Sequence, residues 1–273
     1  MGRRLGQHFL ASGHVVARIV KAAAPKPEEP VLEVGPGRGV LTEALLEAGA
    51  RVTAIELDPE LSRGLRERWG GHPRFRLIEG DVLAADLTPE SLFKSGEPYA
   101  VVANLPYYLS TPFFFRIIAH RAACSRLVLM VQREIGERLA ALPADGKSYG
   151  ALSVAAHHAF AMRYLFTVPP EAFRPPPRVQ SAVVEFLPRP PLLAPEEERA
   201  FLDFVRKAFG NRRKLLRSNL RRLWPDLPAG REQALEKVVG TRRAEDLTPA
   251  EHLEVFRLVA EGQNRPVRRQ NEI

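Results

Sequence analysis

Val31-Leu32-Glu33-Val34-Gly35-Pro36-Gly37-Arg38-Gly39 sets a short apolar run directly against a glycine-rich turn, and Leu41 to Glu47 beyond it reads as a helix. A buried strand, a turn made tight by glycine and a helix form the opening unit of an open α/β sheet. Glycine also lets the backbone approach a ligand that a side chain would hold away. Outward from this turn the alternation repeats. Strand-like runs follow at Arg51 to Ile55, Phe75 to Ile78, Tyr99 to Ala103 and Leu127 to Val131, with helical stretches at Glu60 to Arg68 and Thr111 to Ala119. Five short strands joined by helical crossovers predict a mostly parallel, doubly wound α/β sheet.

The pattern changes at Leu187-Pro188-Arg189-Pro190-Pro191, which reads as a linker. Beyond it lie four helical segments: Glu196 to Phe209, Arg212 to Leu223, Arg231 to Val239 and Pro249 to Val259. The expected division is a first domain over 1–190, a small helical basic domain over 191–264 and a polar, disordered tail over 265–273. The 273 residues carry a net charge of +8, which points to a polyanionic partner, and the absence of an amphipathic anchor favours nucleic acid over membrane. One cysteine, Cys124, excludes an internal disulfide and fits a reducing compartment. Without a signal-like apolar run near the start or a stretch of ~18 apolar residues, the expected location is the cytoplasm.

Two acids extend the glycine turn into a site. Glu56 ends the second strand, where a nucleoside ribose would present its hydroxyls, and Asp81 ends the third, where an adenine edge could be read. Gly35 and Gly37 provide the close backbone approach. A dinucleotide fingerprint reads G-x-G-x-x-G and cradles a pyrophosphate. Here the spacing is G-x-G-x-G with Glu33 two residues before it, which disfavours phosphate and favours a cationic or zwitterionic ligand such as S-adenosylmethionine.

After the fourth strand comes Asn104-Leu105-Pro106-Tyr107. An exocyclic adenine amine is a poor nucleophile because its lone pair is delocalised into the ring. The Asn104 side-chain oxygen and the Leu105 carbonyl can each accept one amine hydrogen, driving pyramidalisation and stabilising the developing positive charge. Pro106 fixes the local geometry and offers no competing N–H. Tyr107 can stack on the base. Phe173-Arg174-Pro175-Pro176-Pro177-Arg178-Val179-Gln180-Ser181-Ala182 forms a stiff loop, and Phe173 is a candidate clamp for the other face of an extruded base.

From Phe204 to Pro225 there is no acidic residue, whereas Arg206, Lys207, Arg212, Arg213, Lys214, Arg217, Arg221 and Arg222 cluster there. On a helix from Arg212, Leu215, Leu216, Leu220 and Leu223 face a core while the arginines face outward. Cations without compensating carboxylates repel one another, so a phosphate backbone is the expected partner. His157-His158 lacks ligand-spaced partners and reads as structural, so no metal site is expected.

Together these motifs closely resemble the ribosomal RNA adenine dimethyltransferase family. The resemblance is carried by Gly6-Gln7-His8-Phe9-Leu10, the Glu33 to Gly39 loop, Glu56, Asp81, Asn104 to Tyr107, Tyr149 to Val154 and Phe173 to Ala182, and it covers about residues 3 to 260. It implies a Rossmann-like class I methyltransferase fold with a seven-stranded, mostly parallel sheet over 1–190, followed by the helical RNA-binding domain. It implies S-adenosylmethionine as cofactor, contacted by His8, Leu10, Gly35, Glu56, Asp81 and Asn104, with Tyr107 and Phe173 sandwiching the adenine. The implied substrate is a pair of adjacent adenosines in the 3′-terminal hairpin of small-subunit rRNA, each methylated twice on N6 within a pre-30S particle, by a monomer.

His8 stands where bacterial members often have Asn, and Tyr108 where Asn is commoner. The related large-subunit rRNA methylases of macrolide resistance tend to carry Ile in place of Leu105 and Lys in place of Pro176, so both positions favour the small subunit. The competing readings are an assembly factor without turnover, an adenine-N6 DNA methylase and a nicotinamide dehydrogenase.

Overall fold

The computed structural model describes residues 8–223 and 229–260, with only the backbone for Arg222, Leu223 and Ala229. Gly6, Gln7, the tail 265–273 and the Arg222 side chain therefore lie outside the described residues. The chain begins β1 (Phe9–Leu10), α1 (Gly13–Ala23), β2 (Pro30–Val34), α2 (Val40–Glu47), β3 (Arg51–Glu56), α3 (Pro59–Trp69) and β4 (Phe75–Glu79). It continues with α4 (Pro89–Phe93), β5 (Tyr99–Asn104), α5 (Ser110–Ala119), β6 (Cys124–Gln132), α6 (Arg133–Ala140) and α7 (Ala151–Ala159). Then come β7 (Phe160–Val168), β8 (Phe173–Arg174), β9 (Ser181–Pro188), α8 (Pro195–Ala208), α9 (Leu216–Leu223), α10 (Ala229–Val239) and α11 (Pro249–Ala260). No helix among the described residues is long and apolar enough to cross a membrane.

Seven strands form one sheet in the order β4-β3-β2-β5-β6-β9-β7. The five strands read from periodicity are its parallel part, and the seven implied by the resemblance are all present. The two that periodicity did not reveal are β7 and β9, which pair antiparallel with each other, β9 also pairing antiparallel with β6. β7 is an edge strand interrupted by Arg163 and Thr167, so it lacks the continuous apolar run of a strand buried on both faces. β2, wholly buried, has that run.

Strand alternation divides the core between the faces of the sheet. Val52, Ala54, Ala100, Val102, Val128 and Met130 meet Val16, Ile19, Leu45 and Leu65 from α1, α2 and α3 on one side. On the other, Phe114 of α5 packs against Phe160 and Phe186 with ring centroids 5.7 and 5.4 Å away. Helix entries have local causes. The Asp58 carboxylate accepts from the Glu60 N–H at 2.8 Å, and Pro59 opens α3 with its φ already helical.

By contacts the chain forms two compact units: one runs to Ala140 and includes Ala159–Pro191, the other is Ala141–His158 with the chain from Leu192 on. A single cut at 190/191 therefore misplaces residues 141–158. Tyr149 and Val154 belong to the same apolar cluster as Phe201, Phe204, Leu253 and Phe256, and the Tyr149 hydroxyl donates to the Leu247 carbonyl at 2.7 Å. The sequence separation of nearly a hundred residues hides that pairing from any local window. His158 also finds an acid there, its Nε2 lying 3.0 Å from Glu198 of α8.

The basic stretch differs from its sequence reading in two respects. Its helix starts at Leu216, because Arg212–Lys214 form a turn after a short 3-10 segment. Its cations do have compensating carboxylates. Asp203 holds Arg206 and Lys207 at 2.6 and 2.7 Å, Glu236 holds Arg217 at 2.9 Å, Glu232 holds Arg221 at 2.6 Å, and Glu245 pairs with Arg212. Those acids stand outside the acid-free window, most of them on α10 or near α11. Arg213 and Lys214 are exposed and form no ion pair among the described residues.

His252 sits fully buried in this unit, its Nε2 donating to the Ala244 carbonyl at 2.9 Å. Burial pushes its pKa from 6.5 down to about 4, a shift that the Ala244 contact opposes. The unfolded chain thus takes up a proton at a pH where the fold does not. Stability is fully present above pH 6.5 and is lost as pH falls toward about 4, by roughly 3 kcal/mol in all. His252→Gln, which keeps a donor toward Ala244, is expected to flatten the acid limb of a denaturation series between pH 7 and 4. An unchanged limb would show that His252 is not the group responsible.

Candidate active site

The carboxyl ends of β2, β3, β4 and β5 open on one cavity of about 870 Å³ in the sheet-bearing unit. Gly35, Gly37, Glu56, Asp81 and Asn104 to Tyr107 line it together with His8, Leu10 and Phe173. Two glycines hold the turn beside it, Gly37 in the lining itself and Gly39 behind it. Gly37 has φ +59°, and a Cβ there would come 3.1 Å from the Phe9 ring. Gly39 has φ +78°, and its Cβ would sit 2.3 Å from Trp69, so no other residue fits.

The carboxylates are held differently. Glu56 accepts the Gly37 N–H at 3.1 Å and the Asp58 N–H at 2.9 Å, which ties the glycine turn to the end of β3. Asp81 accepts the Leu83 N–H at 2.8 Å. Glu33 is buried and accepts the Thr42 hydroxyl at 2.6 Å; burial pushes its carboxyl up to about 8, the Thr42 bond opposing and the Glu56 charge adding.

At the end of β5, Leu105 is pinned by its N–H to the Met130 carbonyl at 3.0 Å, and Pro106 accepts the Leu109 N–H at 2.8 Å. The Asn104 side chain and the Leu105 carbonyl have no hydrogen-bond partner among the described residues. Tyr107 hydrogen-bonds through its hydroxyl to Ser181 Oγ at 3.1 Å, and its ring lies 6.0 Å from that of His8. The site thus offers two open acceptors beside an aromatic ring, an arrangement suited to an exocyclic amine.

A family model described as ribosomal RNA adenine dimethylase matches residues 2–261. The chain belongs to that family. Ribosomal RNA small subunit methyltransferase A of Chromohalobacter salexigens is 44% identical over 225 residues, 80% of this chain and 78% of its own. The protein of the same name from Verminephrobacter eiseniae is 40% identical over 275 residues, covering 97% and 93%. Among solved structures, a dimethyladenosine transferase from Plasmodium falciparum superposes with a TM-score of 0.74 at 25% identity, covering 91% of this chain and 96% of that one. The 23S rRNA methyltransferase ErmE gives 0.69 at 28% identity, covering 92% and 99%.

In this family member Phe173 lines the cavity, is 1% exposed and packs with the core. Pairing of β8 with β1, Phe173 opposite Leu10, fixes its place in the cavity wall. His8 lines the cavity too, with Nδ1 2.8 Å from the Pro175 carbonyl, which gives its side chain a partner in the proline loop.

Several lining residues had no role assigned in the sequence reading, among them Leu57, Asp58, Glu60, Tyr108 and Arg38. Leu57 and Tyr108 are 51% and 53% exposed although both border the cavity. Burial, with the charges of Glu56 and Asp81 adding, pushes the Tyr108 phenol up. The signal for both was adjacency, since each directly follows a residue already singled out. Arg38, inside the glycine turn, lines the cavity as well.

Proposed function

We propose that this chain uses S-adenosylmethionine to dimethylate N6 of two adjacent adenosines in the 3′-terminal hairpin of small-subunit rRNA. It works as a monomer on a pre-30S particle in the cytoplasm, as part of small-subunit biogenesis. The observation that carries the reading is the pair of acceptors without a hydrogen-bond partner among the described residues, Asn104 Oδ1 and the Leu105 carbonyl, beside Tyr107. The cavity suits the cofactor in volume and donor set, with carboxylates Glu56 and Asp81 toward a nucleoside and Glu33 toward an ammonium group. Bound there, S-adenosylmethionine supplies a methyl group made electrophilic by its sulfonium.

The protein's part is positional and electrostatic. Tyr107 holds the base by stacking, while Asn104 and Leu105 each accept one amine hydrogen and so favour the pyramidal nitrogen. No strong base is needed, because the alkylated ammonium loses its proton to water. Leu105 and Pro176 favour the small subunit, as do relatives of 44% and 40% identity named for it, against 28% for ErmE.

The test is methyl transfer from labelled S-adenosylmethionine to unmethylated small subunits, followed by nucleoside analysis. Dimethyladenosine confined to small-subunit rRNA is expected. Label in large-subunit rRNA overturns the substrate, and subunit binding without incorporation turns the reading to an assembly factor.

The helical unit is proposed to hold rRNA, with Arg213 and Lys214 as cations without an ion pair among the described residues and Arg206, Arg212, Arg217 and Arg221 tied to carboxylates. Each phosphate contact contributes about 0.7–0.9 to the slope of log affinity against log salt. Reversing Arg213 and Lys214 to Glu is therefore expected to weaken rRNA binding and lower that slope by about 1 to 2. An unchanged affinity and slope would remove this face from the interface.

A further inference from the structure

The cavity wall is crowded with acid: Glu33, Glu56, Asp58, Glu60 and Asp81 all line it. Among the described residues Arg38 is the one lysine or arginine that does. Despite five carboxyl groups around the same cavity, Arg38 forms no ion pair among the described residues. Its guanidinium instead lies over the Phe9 ring, 4.6 Å from the centroid. Phe9 in turn packs against Gly37 and stands between His8 and Leu10, both cavity residues. A guanidinium stacked on an aromatic face keeps its N–H edge free for an in-plane acceptor.

An α-amino acid end carries both an ammonium and a carboxylate. The acids suit the ammonium but repel the carboxylate, so a zwitterion seated here needs a fixed cation near its carboxylate. Glu56 and Asp81, at the ends of β3 and β4, suit the nucleoside end; Arg38 is on the β2 turn with Phe9. We propose that Arg38, propped on Phe9, grips the carboxylate of the cofactor's amino-acid end. The two N–H groups of its fork match the two carboxylate oxygens. This inference rests on the proposed use of S-adenosylmethionine.

The probes are S-adenosylhomocysteine and its decarboxylated analogue, titrated calorimetrically into wild-type protein and Arg38→Met. A charge-assisted contact at an exposed site is worth on the order of tenfold in affinity. Arg38→Met is expected to weaken S-adenosylhomocysteine about tenfold while leaving the decarboxylated analogue within about twofold, so the variant no longer distinguishes the two. Equal weakening of both ligands overturns the proposal, because the arginine would then act only on the shape of the turn. No weakening of either overturns it too, and if rRNA affinity falls instead, the guanidinium belongs to a phosphate. Wild-type protein that binds neither ligand fails the cofactor reading itself, and the role of Arg38 falls with it.

Discussion

Replacing Asn104 with alanine is expected to lower the rate of methyl transfer by on the order of 100- to 1,000-fold while leaving binding to small subunits intact. The alanine removes one of two acceptors that favour the pyramidal nitrogen, and water in its place would be neither oriented nor fixed. The Leu105 carbonyl remains, which is why the loss is partial. Leu105 itself is anchored by the Met130 carbonyl, so the main chain is not expected to move when the neighbouring side chain is shortened. Single-turnover transfer to unmethylated subunits, beside a filter-binding measurement on the same particles, separates chemistry from recognition. Transfer within tenfold of wild type would mean that Asn104 does not hold the amine. Loss of transfer together with loss of subunit binding would point to a damaged fold, and a thermal melt of the variant decides between those outcomes.

That prediction came from the sequence almost unaided, and the reason is local. Strand, turn and helix follow one another within nine residues around Gly35, and Asn104 to Tyr107 come directly after a strand, so order along the chain maps onto position at one edge of the sheet. Non-local pairings were the illegible part. β7 and β9 show their strand character only beside each other. The carboxylates that neutralise Arg217 and Arg221 arrive from α10, beyond the window in which the stretch looked uncompensated. The burial of Phe173 was equally hidden, because its pairing partner Leu10 lies more than 160 residues earlier. The place of Arg38 depends on a contact of the same kind, its stacking on Phe9 from 29 positions away.

The glutamate of the same turn sets the last expectation, an inverted pH dependence. Glu33 is buried and accepts a hydrogen bond from Thr42, and its carboxyl is pushed from 4.5 up to about 8, first by burial and then by the charge of Glu56. Between those values the folded protein holds a proton that the unfolded chain has released. The contribution to stability is therefore fully present below pH 4.5 and is lost as pH rises through about 8, by roughly 5 kcal/mol in all. Most paired surface carboxylates run the other way. Glu33→Gln keeps an acceptor for Thr42 and cannot ionise, so it is expected to match the wild type near pH 5 and to exceed it in stability at pH 8 to 9. The same substitution is expected to weaken the proposed cofactor, because an ammonium group in the cavity draws the Glu33 proton off and then faces a carboxylate. Affinity in the wild type would accordingly rise with pH up to about 8 and stay flat in the variant. Chemical denaturation of both proteins at pH 5, 7 and 9 checks the first half, and S-adenosylhomocysteine titrations at the same values check the second. Parallel stability curves would mean that Glu33 is ionised in the fold at neutral pH, its charge then being met by contacts other than Thr42.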